Sequence, residues 1–244
     1  MIRPPFPFKD FQRAKDHLRL ALCDQEETYL LLTGDTGCGK TALLRELRGE
    51  LDRTRYRVLY FSEARRLGAT GLIKVVGEAL RVRSSMCHAV NLDRLLRALA
   101  EEAPRVLIWL DEAHELPEET LAEVRALAES DLDGRRQVQI LLAGLPRLRS
   151  EIQASPALWR RIVVREEITG LLLDELQDFL DHHFASGAGR RLSEDGLALL
   201  FERARGAPGL LIPMYRAILA KAGPSKAKVD PHDVEQILER WDLA

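Results

Sequence analysis

No run in the sequence approaches the ~20 consecutive apolar residues that a membrane-spanning helix needs. The N-terminal "MIRPPFPFKDFQRAK" lacks the apolar core of a secretory signal. A cytoplasmic protein with no membrane partner is the expectation. Cys23, Cys38 and Cys87 are the three cysteines, and without paired spacing they suggest neither a disulfide framework nor a zinc site. His182 and His183 are adjacent on a helical stretch and point in different directions, which makes them poor joint ligands for a metal. Internal repeats, low-complexity tracts and an N-K-x-D motif for a guanine base are all missing. Net charge is also small, at −2, but its two signs are segregated. Arg53 to Arg83 carries eight basic residues against Glu63 and Glu78, a local net of +6; Glu101 to Asp133 carries eleven acidic residues against Arg105 and Arg125, a local net of −9. One face can attract polyanions although the whole does not.

What is present is enough for one enzyme-sized core plus a small appendage: 244 residues, 46% of them apolar and 30% charged, the balance of an ordinary globular chain. The first eight residues hold three prolines and two phenylalanines and read as an extended arm, whose Phe6 and Phe8 need something to pack on. A helix is expected from about Phe11 to Cys23, with Phe11, Ala14, His17 or Leu18, and Ala21 or Leu22 on one side. "TYLLLTG" is short and uniformly apolar, the pattern of a strand covered on both faces of a parallel sheet. "YRVLYFS", "RVLIWLDE", "QVQILLAG" and "RRIVVREEI" supply four more strands, alternating with helices that include Lys40 to about Asp52 and Glu118 to Glu129. Between the second and third strands lie two helical patterns, "LIKVVGEAL" and "LDRLLRALAEEA", joined by the polar "RVRSSMCHAVN".

Strands alternating with helices argue for a three-layer α/β fold with a parallel five-stranded sheet and right-handed crossovers. From Thr169 on no strand pattern remains, and four helical patterns follow. The expected division is an N-terminal arm and helix over 1–24, an α/β core over 25–169 and a small helical lid over 170–244.

Gly34-Asp35-Thr36-Gly37-Cys38-Gly39-Lys40-Thr41 fits G-x-x-x-x-G-K-[ST], after a buried strand and at the start of a helix. A loop so bare can wrap a triphosphate with its backbone N–H groups, helped by the partial positive charge of the helix N-terminus. Gly34 to Thr41 together with Ala42 are therefore the candidate nucleotide contacts. Lys40 would bridge the β- and γ-phosphates and Thr41 would ligate Mg²⁺. Cys38 admits two readings, a redox-sensitive thiol or a small residue tolerated in a tight loop, of which the second is preferred.

The complementary acids stand in "RVLIWLDEAHEL": Asp111 is placed to hold the magnesium shell and Glu112 to orient and deprotonate the attacking water. An acidic pair at a strand end can also cap a helix. The letters D-E-A-H occur in helicases, but those need two sheet domains and this chain has room for one. With no guanine motif, ATP is the expected nucleotide. Hydrolysis in this class usually needs a further cation at the γ-phosphate, often from a neighbouring subunit; "SPALWRRIVVREE" offers Arg161, with Arg160 as second choice.

These residues resemble the AAA+ ATPases, in particular the branch of ExeA-type secretion ATPases and the transposition helpers TniB, TnsC, MuB and IstB. The resemblance runs through "GDTGCGKTALLREL", "VLIWLDEAHEL", "ILLAGLPRLRSEI", "LWRRI", "ITGLLLDELQDFLDHHF" and "GAPGLLIPMYRAIL", and so covers nearly the whole chain. It implies slow ATP hydrolysis, self-assembly as a ring or helical filament on duplex DNA, and recruitment or activation of a DDE-type transposase. It also implies DNA contacts in the basic segment after the second strand, for which Arg65, Arg66, Lys74, Arg81 and Arg83 are the candidates; a solvated basic surface is the simpler reading of any one of them.

Two departures bear on mechanism. Apolar Leu145 replaces the polar sensor expected after the fourth strand, and Gly209 stands where an arginine often follows G-x-P. Fewer charge-stabilising groups at the γ-phosphate should slow chemistry and leave nucleotide binding as an assembly switch. Two alternatives remain: an ExeA-like ATPase serving secretion or envelope assembly, which would be expected to carry a membrane segment and a wall-binding domain, and a nucleotide switch that binds only protein partners.

Overall fold

The computed structural model describes residues 4–23, 29–62, 68–101, 104–129, 138–222, 229 and 231–239. The elements run α1 (Lys9–Cys23), β1 (Tyr29–Gly34), α2 (Lys40–Glu50), β2 (Tyr56–Phe61), α3 (Ala69–Ala79), α4 (His88–Glu101), β3 (Arg105–Leu110), α5 (Glu118–Glu129), β4 (Val138–Gly144), α6 (Arg147–Gln153), α7 (Pro156–Trp159), β5 (Ile162–Ile168), α8 (Leu176–His183), α9 (Glu194–Ala204), α10 (Pro208–Ala222) and α11 (Pro231–Leu238). They divide into two compact units. One comprises Met1–Arg13, Gly34–Leu43 and Ile168–Ala244; the other comprises Ala14–Thr33 and Leu44–Glu167. Among the described residues no helix is long and apolar enough to cross a membrane.

The larger unit is built on the five-stranded parallel sheet, in the order β2-β3-β4-β1-β5. Register follows the apolar runs: Leu31 pairs with Leu142 and Ile108 with Ile140. Alternation then sends the even-numbered residues of β3 and β4 to one face. Val106, Ile108, Leu110, Ile140 and Leu142 pack there with Tyr29 and Leu31 against Leu72, Ile73 and Val76 of α3, Leu95 and Leu99 of α4, and Val124 and Leu127 of α5. Each such aliphatic side chain contributes about 1.5–3 kcal/mol. On the opposite face Gln139 of β4 donates to the Ala21 carbonyl of α1 at 3.0 Å. Lys15 of α1 reaches Glu46 and Glu50 of α2 at 2.7 and 3.2 Å. Two helical layers therefore enclose the sheet, and the central strands can be apolar throughout. β2, at an edge, is half-buried along its length.

Three local outcomes sharpen the sequence reading. Leu18 and Leu22 take the buried face of α1, while His17 turns to Glu166 at 2.7 Å. α4 begins at His88, four residues before the "LDRLLRALAEEA" pattern, because the buried Asn91 amide accepts from Ser85 N at 2.6 Å and donates to Ser85 O at 2.9 Å. α3 ends in a Schellman turn, Val82 N donating to Gly77 O at 2.8 Å and Arg81 N to Glu78 O at 3.0 Å. The left-handed residue of that turn, usually glycine, is Arg81, at φ +59°.

The smaller unit holds the arm, the loop after β1 and the last four helices. Phe6 meets Phe179 of α8 edge-on at 5.7 Å, and Phe8 packs on Phe11 at 5.4 Å. Lys9 pairs with Asp174 at 2.9 Å, and Asp10 accepts from both N and Oγ1 of Thr169 at 2.8 Å. Asp181 caps the turn after α8 by accepting from Gly189 N at 2.7 Å and Gly187 N at 2.9 Å, bonds that hold its carboxyl below the usual range. Tyr215 of α10 is fully buried and donates to Ala188 O; burial pushes its phenol up to about 12.

An arginine in the left-handed region costs about 1–2 kcal/mol, more than the extra chain entropy a glycine loses on folding. Arg81→Gly should therefore raise the unfolding free energy by roughly 0.5–1 kcal/mol, read from the urea midpoint at unchanged slope.

Candidate nucleotide site

The loop of residues 34–40 leaves β1 and enters α2 with little side chain to obstruct a ligand. Asp35, Thr36 and Gly37 are exposed, whereas Cys38 and Lys40 are buried. The Lys40 ammonium donates to Gly34 O at 2.7 Å and to Asp35 O at 3.0 Å. A buried cation needs such oxygens, and here the loop's own carbonyls supply them. Gly34 has no room for a side chain, since a Cβ there would lie 2.3 Å from Ile168 O and 2.7 Å from Cys38 Sγ. Gly37 adopts φ +80°, a conformation that L side chains resist. A stretch bare at its centre, with a buried ammonium at its end, fits a chain of phosphates. Burial pushes the Cys38 thiol up, so it packs as a small apolar group and is a poor redox sensor.

The first turn of α10 belongs to the same site. Gly209 N donates to Gly37 O at 2.9 Å, and a Cβ on Gly209 would come within 2.8 Å of Gly37 Cα and 3.1 Å of Gly37 O. The missing arginine at this position thus has a steric cause: backbone lies directly on backbone.

Asp111 and Glu112 follow β3 in the other unit. Asp111 is buried; its Oδ2 accepts from the Tyr60 hydroxyl at 2.8 Å and its Oδ1 from Glu112 N at 3.1 Å. Burial first, then the bond to Asp111, push the Tyr60 phenol well above its ordinary value, so it stays a donor at any physiological pH. Glu112 sits at φ +54°, ψ +35°, a strained setting for a side-chain-bearing residue and one that clusters at functional sites.

His114 is buried beside it, and its Nδ1 accepts from Leu145 N at 3.2 Å. The same nitrogen lies 3.5 Å from Glu112 Oε2. It cannot accept from the amide and donate to the carboxylate at once, and the shorter bond from a fixed backbone donor assigns the ring proton to Nε2. Gly144 permits this approach, since a Cβ there would stand 2.9 Å from His114 Nδ1. Leu145 thus takes part through its backbone alone.

Arg160 and Arg161 are exposed at the corner between α7 and β5, with Arg161 Nη1 donating to Ala157 O at 3.1 Å. Lys74, Arg81 and Arg83 are exposed on and after α3. Arg65 and Arg66 lie outside the described residues. Tyr60 and His114 were missed as functional candidates. The polar tip of an apolar edge strand could have flagged Tyr60, and the glycine ending β4 could have flagged His114.

A parallel five-stranded sheet with a bare loop after β1, acids after β3 and helices beyond β5 is a P-loop nucleotide-binding fold of the AAA+ class. Residues 23–152 match a family model described as an AAA domain, and the chain belongs to that family. No curated protein matches it by sequence. Among solved structures it resembles Cdc6p from Pyrobaculum aerophilum, at 20% identity and a TM-score of 0.74 over 97% of this chain and 68% of that one. It is also similar to the Orc1 protein of Aeropyrum pernix, solved in complex with DNA, at 19% identity and a TM-score of 0.64 over 98% of this chain and 65% of that one. A RuvB point mutant from Thermotoga maritima gives 18% identity and a TM-score of 0.63, over 100% of this chain and 75% of that one. The chain thus spans slightly under two thirds of the Orc1 protein. At these identities the likeness is one of fold.

Gly209→Ala should destabilise the protein by about 1–3 kcal/mol in urea unfolding, because the added carbon meets backbone that cannot rotate away. Gly209→Arg should fare no better, since the conflict arises at Cβ. Tyr60→Phe should cost about 1.5–3 kcal/mol, the worth of a hydrogen bond to a charged group, with no change in the unfolding slope.

Proposed function

We propose that the chain is an ATP-dependent AAA+ regulator that associates with duplex DNA, assembles there as a ring or helical filament, and recruits or activates a DDE-type transposase. The observation that carries this reading is the hydrogen bond from Gly209 N to Gly37 O. The loop that would hold the phosphates and the first turn of a lid helix share one backbone contact. A nucleotide in the loop bears directly on the lid, which is what an assembly switch requires. The Aeropyrum pernix Orc1 protein of the same fold was solved in complex with DNA, and the exposed Lys74, Arg81 and Arg83 suit phosphate contacts here.

In this mechanism residues Gly34 to Ala42 hold ATP, with Lys40 exchanging a carbonyl partner for the β- and γ-phosphates. Thr41 and Asp111 are the residues that would hold Mg²⁺, which would supply charge neutralisation at the phosphates. Glu112 accepts the proton of the attacking water, and Arg161, or Arg160 beside it, reaches the γ-phosphate of a neighbouring subunit. Leu145 offers no side-chain dipole to the transition state, and its N–H is already engaged by His114. Hydrolysis is correspondingly slow and serves disassembly. The functional division is an arm and helix over 1–24, an ATPase core over 25–169 and a lid over 170–244. The branch of ExeA and the transposition helpers is the proposed affiliation.

Duplex DNA binding measured with ATP, with ADP and without nucleotide, followed by particle imaging, tests the reading. Binding and assembly should require ATP; a protein that ignores DNA but gathers a protein partner in the ATP state is a switch of another kind. Lys40→Ala should abolish nucleotide binding in a direct titration. Glu112→Gln should hold the ATP-bound assembly on DNA many times longer than the unaltered protein, and a turnover rate at motor-enzyme speed would refute the slow switch.

A further inference from the structure

Residues 81–87 join α3 to α4 and display a fully exposed Met86, the most exposed large apolar side chain among the described residues. The segment around it is basic: from Lys74 to Arg97 there are five basic residues against Glu78 and Asp93, and Asp93 is engaged by Arg97 at 3.1 Å. Arg81 and Arg83 are exposed on the loop itself.

The loop is pinned from within. Asn91 holds both backbone groups of Ser85, whose Oγ accepts from Cys87 N at 3.2 Å. Arg94 donates to Arg83 O at 3.1 Å, and the Schellman turn fixes Val82. Arg81 occupies a position where glycine would be less strained. Strain retained at a side-chain-bearing position points to a use for that side chain. An unbranched apolar side chain held outward on a rigid loop, between cations, has the chemistry of a wedge that enters a base step from the minor groove while arginines grip the flanking phosphates.

We infer that this loop is a duplex-DNA contact in which Met86 inserts between base pairs and bends the helix, with Arg81 and Arg83 on the phosphates. The inference rests on the DNA-associated reading above and adds to it a mode of contact: the protein deforms the duplex it binds. The excess of cations around the methionine favours a polyanion over an apolar protein pocket.

The test uses the full chain with a non-hydrolysable ATP analogue and a duplex of about 30 base pairs carrying a fluorophore pair at its ends, a length on which a bend is measurable. The unaltered protein should raise energy transfer between the ends. Met86→Ala should keep the salt dependence of binding but leave energy transfer at the free-DNA value. Arg81→Gly, which suits the turn and so preserves the loop, should lower the slope of log affinity against log salt by about 0.9, as should Arg83→Ala. Binding without any bend, or a bend that survives Met86→Ala, overturns the wedge and leaves DNA association standing. Slopes unchanged in both arginine variants overturn the phosphate contacts. No nucleotide-dependent DNA binding by the unaltered protein sinks both readings. Loss of self-association by Met86→Ala in sedimentation without DNA, with bending intact, assigns the loop to a protein interface instead.

Discussion

A buried ammonium must be met by oxygen, and the loop after β1 meets Lys40 with the carbonyls of Gly34 and Asp35. Much else in the smaller unit follows from that constraint. Turning carbonyls toward the lysine sets the course of the loop, Gly34 must then lie against the Ile168 carbonyl, and Gly37 must take a positive φ. The Gly37 carbonyl, exposed at the bend, finds its donor in Gly209. A side chain at Gly34 or Gly209 would separate backbone from backbone, and one at Gly37 would be strained by its positive φ. The loop thus has the bareness proposed for a phosphate cradle, and the first turn of α10 shares in its geometry.

Asp111 obeys a parallel logic in the larger unit. A buried carboxylate needs donors, and Asp111 takes one from the phenol of Tyr60 and one from the amide of Glu112. The second bond accompanies the left-handed backbone that carries Glu112. His114, seated against Gly144, ties the end of β4 to the same turn through Leu145 N. The polar sensor that Leu145 lacks is therefore not restored by its backbone, because the N–H is already engaged.

Legibility in the sequence depended on how local each cause was. The central strands were readable because continuous apolar runs admit little besides a doubly covered parallel strand, and the loop was readable because its glycines answer a local backbone demand. The start of α4 was misjudged by four residues because the polar Asn91 reads as loop until its two bonds to Ser85 are seen. On α1, hydrophobic spacing left His17 and Leu18 as equals until Glu166, far along the chain, claimed the histidine. Tyr60 carried only the faint signal of a polar tip on an apolar edge strand, because its partner is 51 residues away.

By itself the sequence determined the order of strands and helices, the bare loop with Lys40 and Thr41, and the placing of Asp111 and Glu112 after an apolar strand. Side-chain periodicity and backbone preference act within a few residues, so they can be read in one dimension. Only the tertiary structure decided why Gly209 replaces an arginine, what holds Asp111, and that Met86 stands fully exposed on a pinned loop. Those outcomes depend on which distant backbone or side chain arrives within 3 Å, and the folded chain sets that distance while the spacing of residues does not.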